Sequence, residues 1–227
     1  MIAIIAAMDI EVEAITSIMS NVEQIEKSGV SFFKGTIHER PLLVMKSGVG
    51  KVNASMSTTI LLERFSIDRV VNIGTAGGLN PTQNILDAVI SDDVVQHDFD
   101  TSPVDGIEGI GLCFTADKDV ADVCERSLHA LGVTVHRGLV ASGDQFIARV
   151  DQLDKLAENF PEAICAEMEA GAIAQVCAHY QVPFVVLRSL SDITHKENSH
   201  MDFCEYAKQA SKRSADFTRE FMKLSAL

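Results

Sequence analysis

The chain has 227 residues, 47% of them hydrophobic, which is enough for a sizeable buried core and short enough for a single domain over 1–227. Its 32 acidic residues outweigh 19 basic ones, for a formal net charge of −13 without a basic cluster, and this argues against a nucleic-acid partner held through neutralised phosphates. Five cysteines, odd in number, set in apolar surroundings and without a C-x-x-C pair, indicate neither a disulfide framework nor a zinc site and suit a reducing cytoplasm.

The N-terminal run MIAIIAAM lacks a basic flank and soon meets Asp9 and Glu11, so it reads as a buried first strand rather than a signal peptide or membrane span. Along the chain, strands are predicted near 2–7, 31–37, 41–47, 68–74, 85–95, 133–142 and 183–190. Helices are predicted near 9–20, 51–65, 117–131, 149–159, 169–181 and 201–224. The alternation predicts a single three-layer α/β domain, a central mixed sheet flanked by helices. Residues 98–112, DFDTSPVDGIEGIGL, carry Pro103, three glycines and several acids, and read as a surface loop with room to move.

The richest stretch is AEMEAGAIAQVCAHYQVPFVVLRSLSD (166–192), where two acids stand beside a helix start and a third closes a buried strand. The run Phe184–Leu187 reads as a central strand, yet it continues into Arg188, Ser189, Ser191 and Asp192. Ligands of open α/β sheets collect beyond such strand ends, which makes Asp192 the first catalytic candidate. In AAMDIEVEAI (6–15) a strand turns into an amphipathic helix, and Glu11 is by itself an ordinary first-turn carboxylate favoured by the helix dipole.

Two glycine-bearing segments test negative for nucleotide motifs. KSGVGKVNAS (46–55) fails the triphosphate-loop pattern, because Met45 stands five before Gly50 and Val52 follows Lys51. NIGTAGGLNP (72–81) follows a strand but lacks dinucleotide-binding spacing, and tight turns explain its glycines as well as ligand contact does. In RGLVASGDQFI (137–147) a strand ends in Ser142-Gly143-Asp144 and then exposes Phe146 and Ile147; the aromatic either stacks on a flat ring or, as the residues alone favour, pins the next helix. His97, His136, His179, His195 and His200 show no metal-ligand spacing and read as satisfied or surface histidines.

Taken in order, AAM-x-x-E, SG-V-GK-V, N-x-G-T-AGG, SGD-x-F, EMEA and PF-x-x-x-R-x-L-SD resemble the methylthioadenosine/S-adenosylhomocysteine nucleosidases, within the nucleoside phosphorylase/hydrolase fold. The resemblance covers nearly the whole chain. It implies that Asp192 is the general acid toward the five-membered-ring nitrogen of adenine and Glu11 the base that deprotonates the attacking water. It further implies that Phe146 stacks on the base while the Phe146 and Ile147 backbone reads its edge. Met168 and Glu169 would hold the ribose, Arg188 and Ser191 support the site, and Thr75, Ala76 and Gly77 line its floor. Met8 would contact the substrate and Phe203 close over it. A homodimer is implied, and neither a metal nor an organic cofactor is needed.

Adenine is a poor leaving anion, so a proton delivered as the bond breaks lowers the barrier, and the cation-like sugar is captured by water. One carboxyl must start protonated and the other ionised, which calls for a buried acid and a polar setting for the base. The nearest alternative is a phosphorylase of the same fold, but a carboxylate within ~4 Å of a phosphate dianion costs about 2 kcal/mol even at water's dielectric. A non-catalytic adenosine sensor is a second alternative, opposed by the presence of both Glu11 and Asp192. One departure from the family concerns the loop after His97-Asp98, which commonly lines the 5′-substituent pocket. Here the segment TSPVDGIEGIGL is shorter and without an aromatic, so the 5′ group is less defined than the reaction.

Overall fold

The apolar residues Ile2–Ala6 form β1, which lies between two parallel neighbours, β4 (Arg40–Lys46) and β5 (Arg69–Gly78). A strand paired on both sides within a parallel array buries both faces, and its sequence is therefore apolar throughout rather than alternating. The computed structural model describes residues 1–193 and 199–225, the side chains of 199–205 and 207 excepted. Its other strands are β2 (Ser20–Lys27), β3 (Val30–Ile37), β6 (Ala88–Asp100), β7 (Ile110–Thr115), β8 (Val135–Ser142), β9 (Ala163–Glu167) and β10 (Phe184–Ile193). They form one mixed sheet in the order β10-β6-β8-β9-β5-β1-β4-β3-β2, with β7 paired to β6. Because β10 also pairs with β5, the strands β5, β10, β6, β8 and β9 close into a ring, from which β1, β4, β3 and β2 extend as an arm.

Helices cover both faces: α1 (Asp9–Thr16), α2 (Lys51–Arg64), α3 (Ser102–Asp105), α4 (Lys118–Ala130), α5 (Val150–Asn159), α6 (Ala170–Tyr180) and α7 (Ser199–Leu224). Alternate strand positions divide the core between them. Ala3, Ile5, Val70 and Val186 pack with Ala54, Leu61, Ile173 and Cys177 of α2 and α6. Ile4, Val71, Val185 and Leu187 pack with Val12, Ile15, Val120, Phe217 and Phe221 of α1, α4 and α7. These two helix layers around the mixed sheet are the three-layer arrangement that the alternating pattern predicts.

Several boundaries differ from those expectations. The first helix stops at Thr16 rather than near 20, and Ser20–Lys27 is a strand. That strand is the exposed end of the sheet and pairs with β3, so no burial imposes an apolar period on its sequence. The segment 98–112 is not a loose loop: β6 runs through Asp100, α3 carries Pro103 in its first turn, a 3-10 turn follows, and β7 returns along β6. The Thr101 N–H donates to Gly109 O at 2.8 Å, and a Cβ on Gly109 would lie 2.7 Å from the Thr101 backbone, so only glycine permits this closure. The five-residue β9 lies between two helices and went unpredicted. Cys124, Cys165 and Cys177 are buried, but Cys113 is exposed on β7 rather than set among apolar groups. Among the described residues no helix is long and apolar enough to cross a membrane.

Candidate active site

The carboxyl ends of β1, β5, β9 and β10 converge on a cavity of about 140 Å³, together with the loop after β8. Every site residue expected from the sequence lines it, apart from Arg188 and Phe203. Arg188 stands behind its wall, and the side chain of Phe203 lies outside the described residues, as do those of His195 and His200. Ala7, Val49, Gly74, Gln145, Ala166 and Glu167 complete the lining, although the sequence gives none of them a role.

Glu11 arrives from the third position of α1. Its Oε2 accepts from the backbone N–H groups of Met8 at 3.0 Å and Ala7 at 3.1 Å, which fixes the carboxyl over the end of β1. Gly74 makes room on the other side: a Cβ there would lie 3.3 Å from Arg188 Nη1 and 3.4 Å from Glu11 Oε1. The side chain is buried, and burial pushes the carboxyl above the ordinary carboxylate range. Backbone hydrogen bonds from Met8, Ala7 and Thr75 and the nearby Arg188 charge oppose that rise without cancelling it. The polar setting anticipated for the base is present only as hydrogen bonds; desolvation outweighs them and raises the carboxyl.

Asp192 arrives from the end of β10, where the ladder with β5 slips between Leu190 and Asp192. Such a bulge re-aims the following side chain. Ser191 donates its Oγ–H to Asp192 Oδ1 at 2.8 Å and lies 3.4 Å from the Ala76 carbonyl oxygen, so Ser191 orients the acid and ties it to the cavity floor.

Between these two ends lies the one guanidinium among several carboxyls. Arg188 is fully buried and donates from Nη2 to Glu167 Oε2 and, at 2.7 Å, to Asn72 Oδ1; Nη1 donates to the carbonyls of Asn72 and Leu187. Glu167 also accepts from the backbone of Glu169 at 3.0 Å and Ala170, capping α6. Glu169 is pushed up to about 7, first by burial and then by the Glu167 charge. Burial alone would lower the pKa of Arg188, but Glu167, Glu169 and Glu11 outweigh it and hold the guanidinium charged. Glu11, Glu167 and Glu169 share one cation away from water and cannot all ionise freely, which favours retained protons on Glu11 and Glu169.

The loop after β8 separates two roles that the sequence left together. Phe146 is about half exposed at the cavity mouth, at 52%, and so is not a core anchor. Ile147, by contrast, is buried with Leu156 and Phe160 and does the pinning. His97 is neither on the surface nor satisfied: it packs against Gly143, its Nε2 has no hydrogen-bond partner among the described residues, and burial lowers its pKa. His136 pairs with Asp87 at 2.8 Å. A larger cavity, about 200 Å³, lies behind Arg188 and Gly74 near Leu128 and Phe217; Asp216 is the lone acid in its lining, so the paired-carboxyl chemistry is not there. Among the described residues no group of three or more His, Cys, Asp or Glu side chains is placed to hold a metal ion.

The model of the phosphorylase superfamily matches residues 1–223. The chain is 37% identical over 226 residues to the 5′-methylthioadenosine/S-adenosylhomocysteine nucleosidase of Oceanobacillus iheyensis, covering 98% of each. It is 41% identical over 223 residues to the protein of that name from Anoxybacillus flavithermus, covering 96% of each. Its structure is similar to that of the nucleosidase of the same name from Neisseria meningitidis in complex with methylthio-immucillin-A, with a TM-score of 0.91, 32% identity and 98% of each chain covered.

Proposed function

The chain belongs to the phosphorylase superfamily, among its 5′-methylthioadenosine/S-adenosylhomocysteine nucleosidases, and we propose that it hydrolyses the N-glycosidic bond of both nucleosides, releasing adenine and the 5′-substituted ribose. The observation that carries this reading is that Glu11, from the first turn of α1, and Asp192, from the end of β10, reach one cavity. Asp192 gives its proton to the five-membered-ring nitrogen as the bond to the sugar breaks. Glu11 takes a proton from water as its oxygen bonds to the cation-like carbon. Phe146 stacks on the base and the Phe146–Ile147 backbone reads its edge. Glu169 accepts the ribose hydroxyls beside Met168, and Met8 with Thr75–Gly77 shapes the sugar site. Arg188 and Ser191 orient the carboxyls, and Phe203 closes the pocket.

Water rather than phosphate is the nucleophile, because the guanidinium nearest the site is already engaged by Glu167 and a dianion would enter among four carboxyls. The test is a purine-release assay across 5′-substituted adenosines, with and without phosphate. Free sugar at a rate independent of phosphate supports hydrolysis; a sugar 1-phosphate with saturating phosphate dependence overturns it. A folded protein that releases no purine from any of them would be a sensor.

The same reading extends to one nucleosidase domain over 1–227, acting in the cytoplasm in nucleoside catabolism and methionine salvage, as a homodimer. The dimer is supported by exposed apolar side chains, Val49, Val52 and Met56 before and on α2 and Val104 and Ile107 after β6.

A further inference from the structure

Three charged residues in the sequence motifs have no place in the proposed chemistry: Lys51 of SGVGK, Asp98 of the His97-Asp98 pair and Asp144 of SGD. None of them lines the cavity. They meet, however, in a closed ring of hydrogen bonds. Lys51 donates from Nζ to Asp98 Oδ1 at 2.6 Å and to Gln96 Oε1 at 3.2 Å. The Lys51 backbone N–H donates to Asp144 Oδ1 at 2.7 Å, and the Asp144 backbone N–H donates to Asp98 Oδ2 at 2.9 Å.

This ring joins the start of α2, the far part of β6 and the turn after β8. Gly50 forms the N-terminal boundary of α2 without a side-chain cap of its own, so carboxylates from elsewhere in the chain take its free N–H groups. Asp144 accepts from Lys51, and Glu169 Oε1 accepts from Gly50 at 2.9 Å. The φ of Gly50 is +91°, and a Cβ there would sit 3.0 Å from Asp144 Oδ1. One face of this helix start is therefore bound to Glu169, and the other, through Asp144, to the loop that carries Phe146 two residues later.

We propose that the Lys51–Asp98 ion pair, closed into a ring through Asp144, is a positioning element that sets the spacing between the base-contacting loop 145–147 and the ribose-contacting Glu169. It governs nucleoside affinity rather than bond cleavage. The inference rests on the proposed nucleosidase reading for the roles of those contacts. Its energetic basis is that both side chains are largely withdrawn from water, 20% and 17% exposed, so removing one partner leaves the other charge poorly solvated and the loop free to shift.

The experiment compares wild type with Lys51→Met, Lys51→Arg, Asp98→Asn and the Lys51→Met/Asp98→Asn double variant. It measures KM and kcat on methylthioadenosine, calorimetric Kd for free adenine, and thermal midpoint. Lys51→Met and Asp98→Asn should each raise KM and the adenine Kd about tenfold or more while kcat stays within about threefold, and Lys51→Arg should restore most of the affinity. The double variant should be no worse than the poorer single, because both remove one interaction. An adenine Kd unchanged within about twofold, additive losses, or kcat falling in step with thermal stability would overturn the proposal. Failure of both single variants to fold would overturn it too, by making the ring a folding element. If wild type binds adenine but releases none from methylthioadenosine, the nucleosidase reading fails while the adenine Kd still decides whether the ring positions the loop.

Discussion

Arg188 and Glu167 form an ion pair that solvent does not reach, with side chains 1% and 2% exposed. Both charges would be costly alone at this depth, and each is made tolerable by the other and by the surrounding hydrogen bonds from and to Asn72, Glu169 and Ala170. The pair also commits the guanidinium to Glu167, which leaves it little to offer an entering anion.

Breaking that pair from one side should therefore be severe. Arg188→Met is expected to destabilise the protein by roughly 3–5 kcal/mol, because Glu167 stays buried without its cation. The double variant Arg188→Met/Glu167→Gln should recover part of the loss, since a glutamine carbonyl can still accept from the α6 backbone. Urea denaturation midpoints at constant slope measure both; a single-variant loss below about 1 kcal/mol would mean that the pair is not what holds this layer together.

Glu169 makes stability fall as pH rises. In the unfolded chain its carboxyl titrates near 4.5 and in the folded chain near 7. Between those values the folded chain keeps a proton that the unfolded chain has lost, so raising pH favours unfolding through that window and no further above it. The contribution is at most about 3 kcal/mol, and the raised Glu11 acts in the same direction. Equilibrium unfolding between pH 5 and 8 should show a shallower decline for Glu169→Gln than for wild type. Equal slopes would remove Glu169 as the source.

How far the sequence carries these features depends on burial. β1, β5 and β10 are legible because strands paired on two sides are apolar over most of their length. β2 is not, because its exposed side chains carry no period, and β9 is not, because five residues between two helices give too short a signal. The closing of β10 onto both β5 and β6 is a tertiary pairing that no local pattern encodes. At the site, Glu11, Glu169 and Asp192 carry roles implied by their motifs, whereas Glu167, in the same EMEA motif, stands at a helix start without one. Its second task, holding Arg188, is visible only when β9 and β10 are brought together.

Asp192→Asn should preserve the fold and remove most activity. The amide oxygen still accepts from Ser191, and a protonated carboxyl is replaced by a neutral amide of nearly the same shape, so stability should change little. What the amide cannot do is deliver a carboxyl proton to the departing base. A fall of roughly 10²–10⁴ in kcat is expected, about 3–5 kcal/mol of transition-state stabilisation. Near-normal turnover in a folded variant would take Asp192 out of the mechanism.

Glu11→Gln separates water activation from pocket building. A glutamine oxygen can accept from the same Met8 and Ala7 N–H groups, so α1 and the cavity wall should keep their shape. Turnover should nevertheless collapse, because the amide cannot take the proton of the attacking water. Affinity for a non-hydrolysable adenosine analogue should stay within about tenfold, since an interaction made only in the transition state leaves ground-state binding largely intact. The pH profile supplies an independent check. Burial raises the Glu11 carboxyl, and the base works only when ionised, so wild-type kcat/KM should decline on acidification from above the ordinary carboxylate range. The residual activity of Glu11→Gln should lack that limb. Parallel losses of binding and turnover, or an acid limb that survives the substitution, would make Glu11 a structural carboxyl and move the base elsewhere in the cavity.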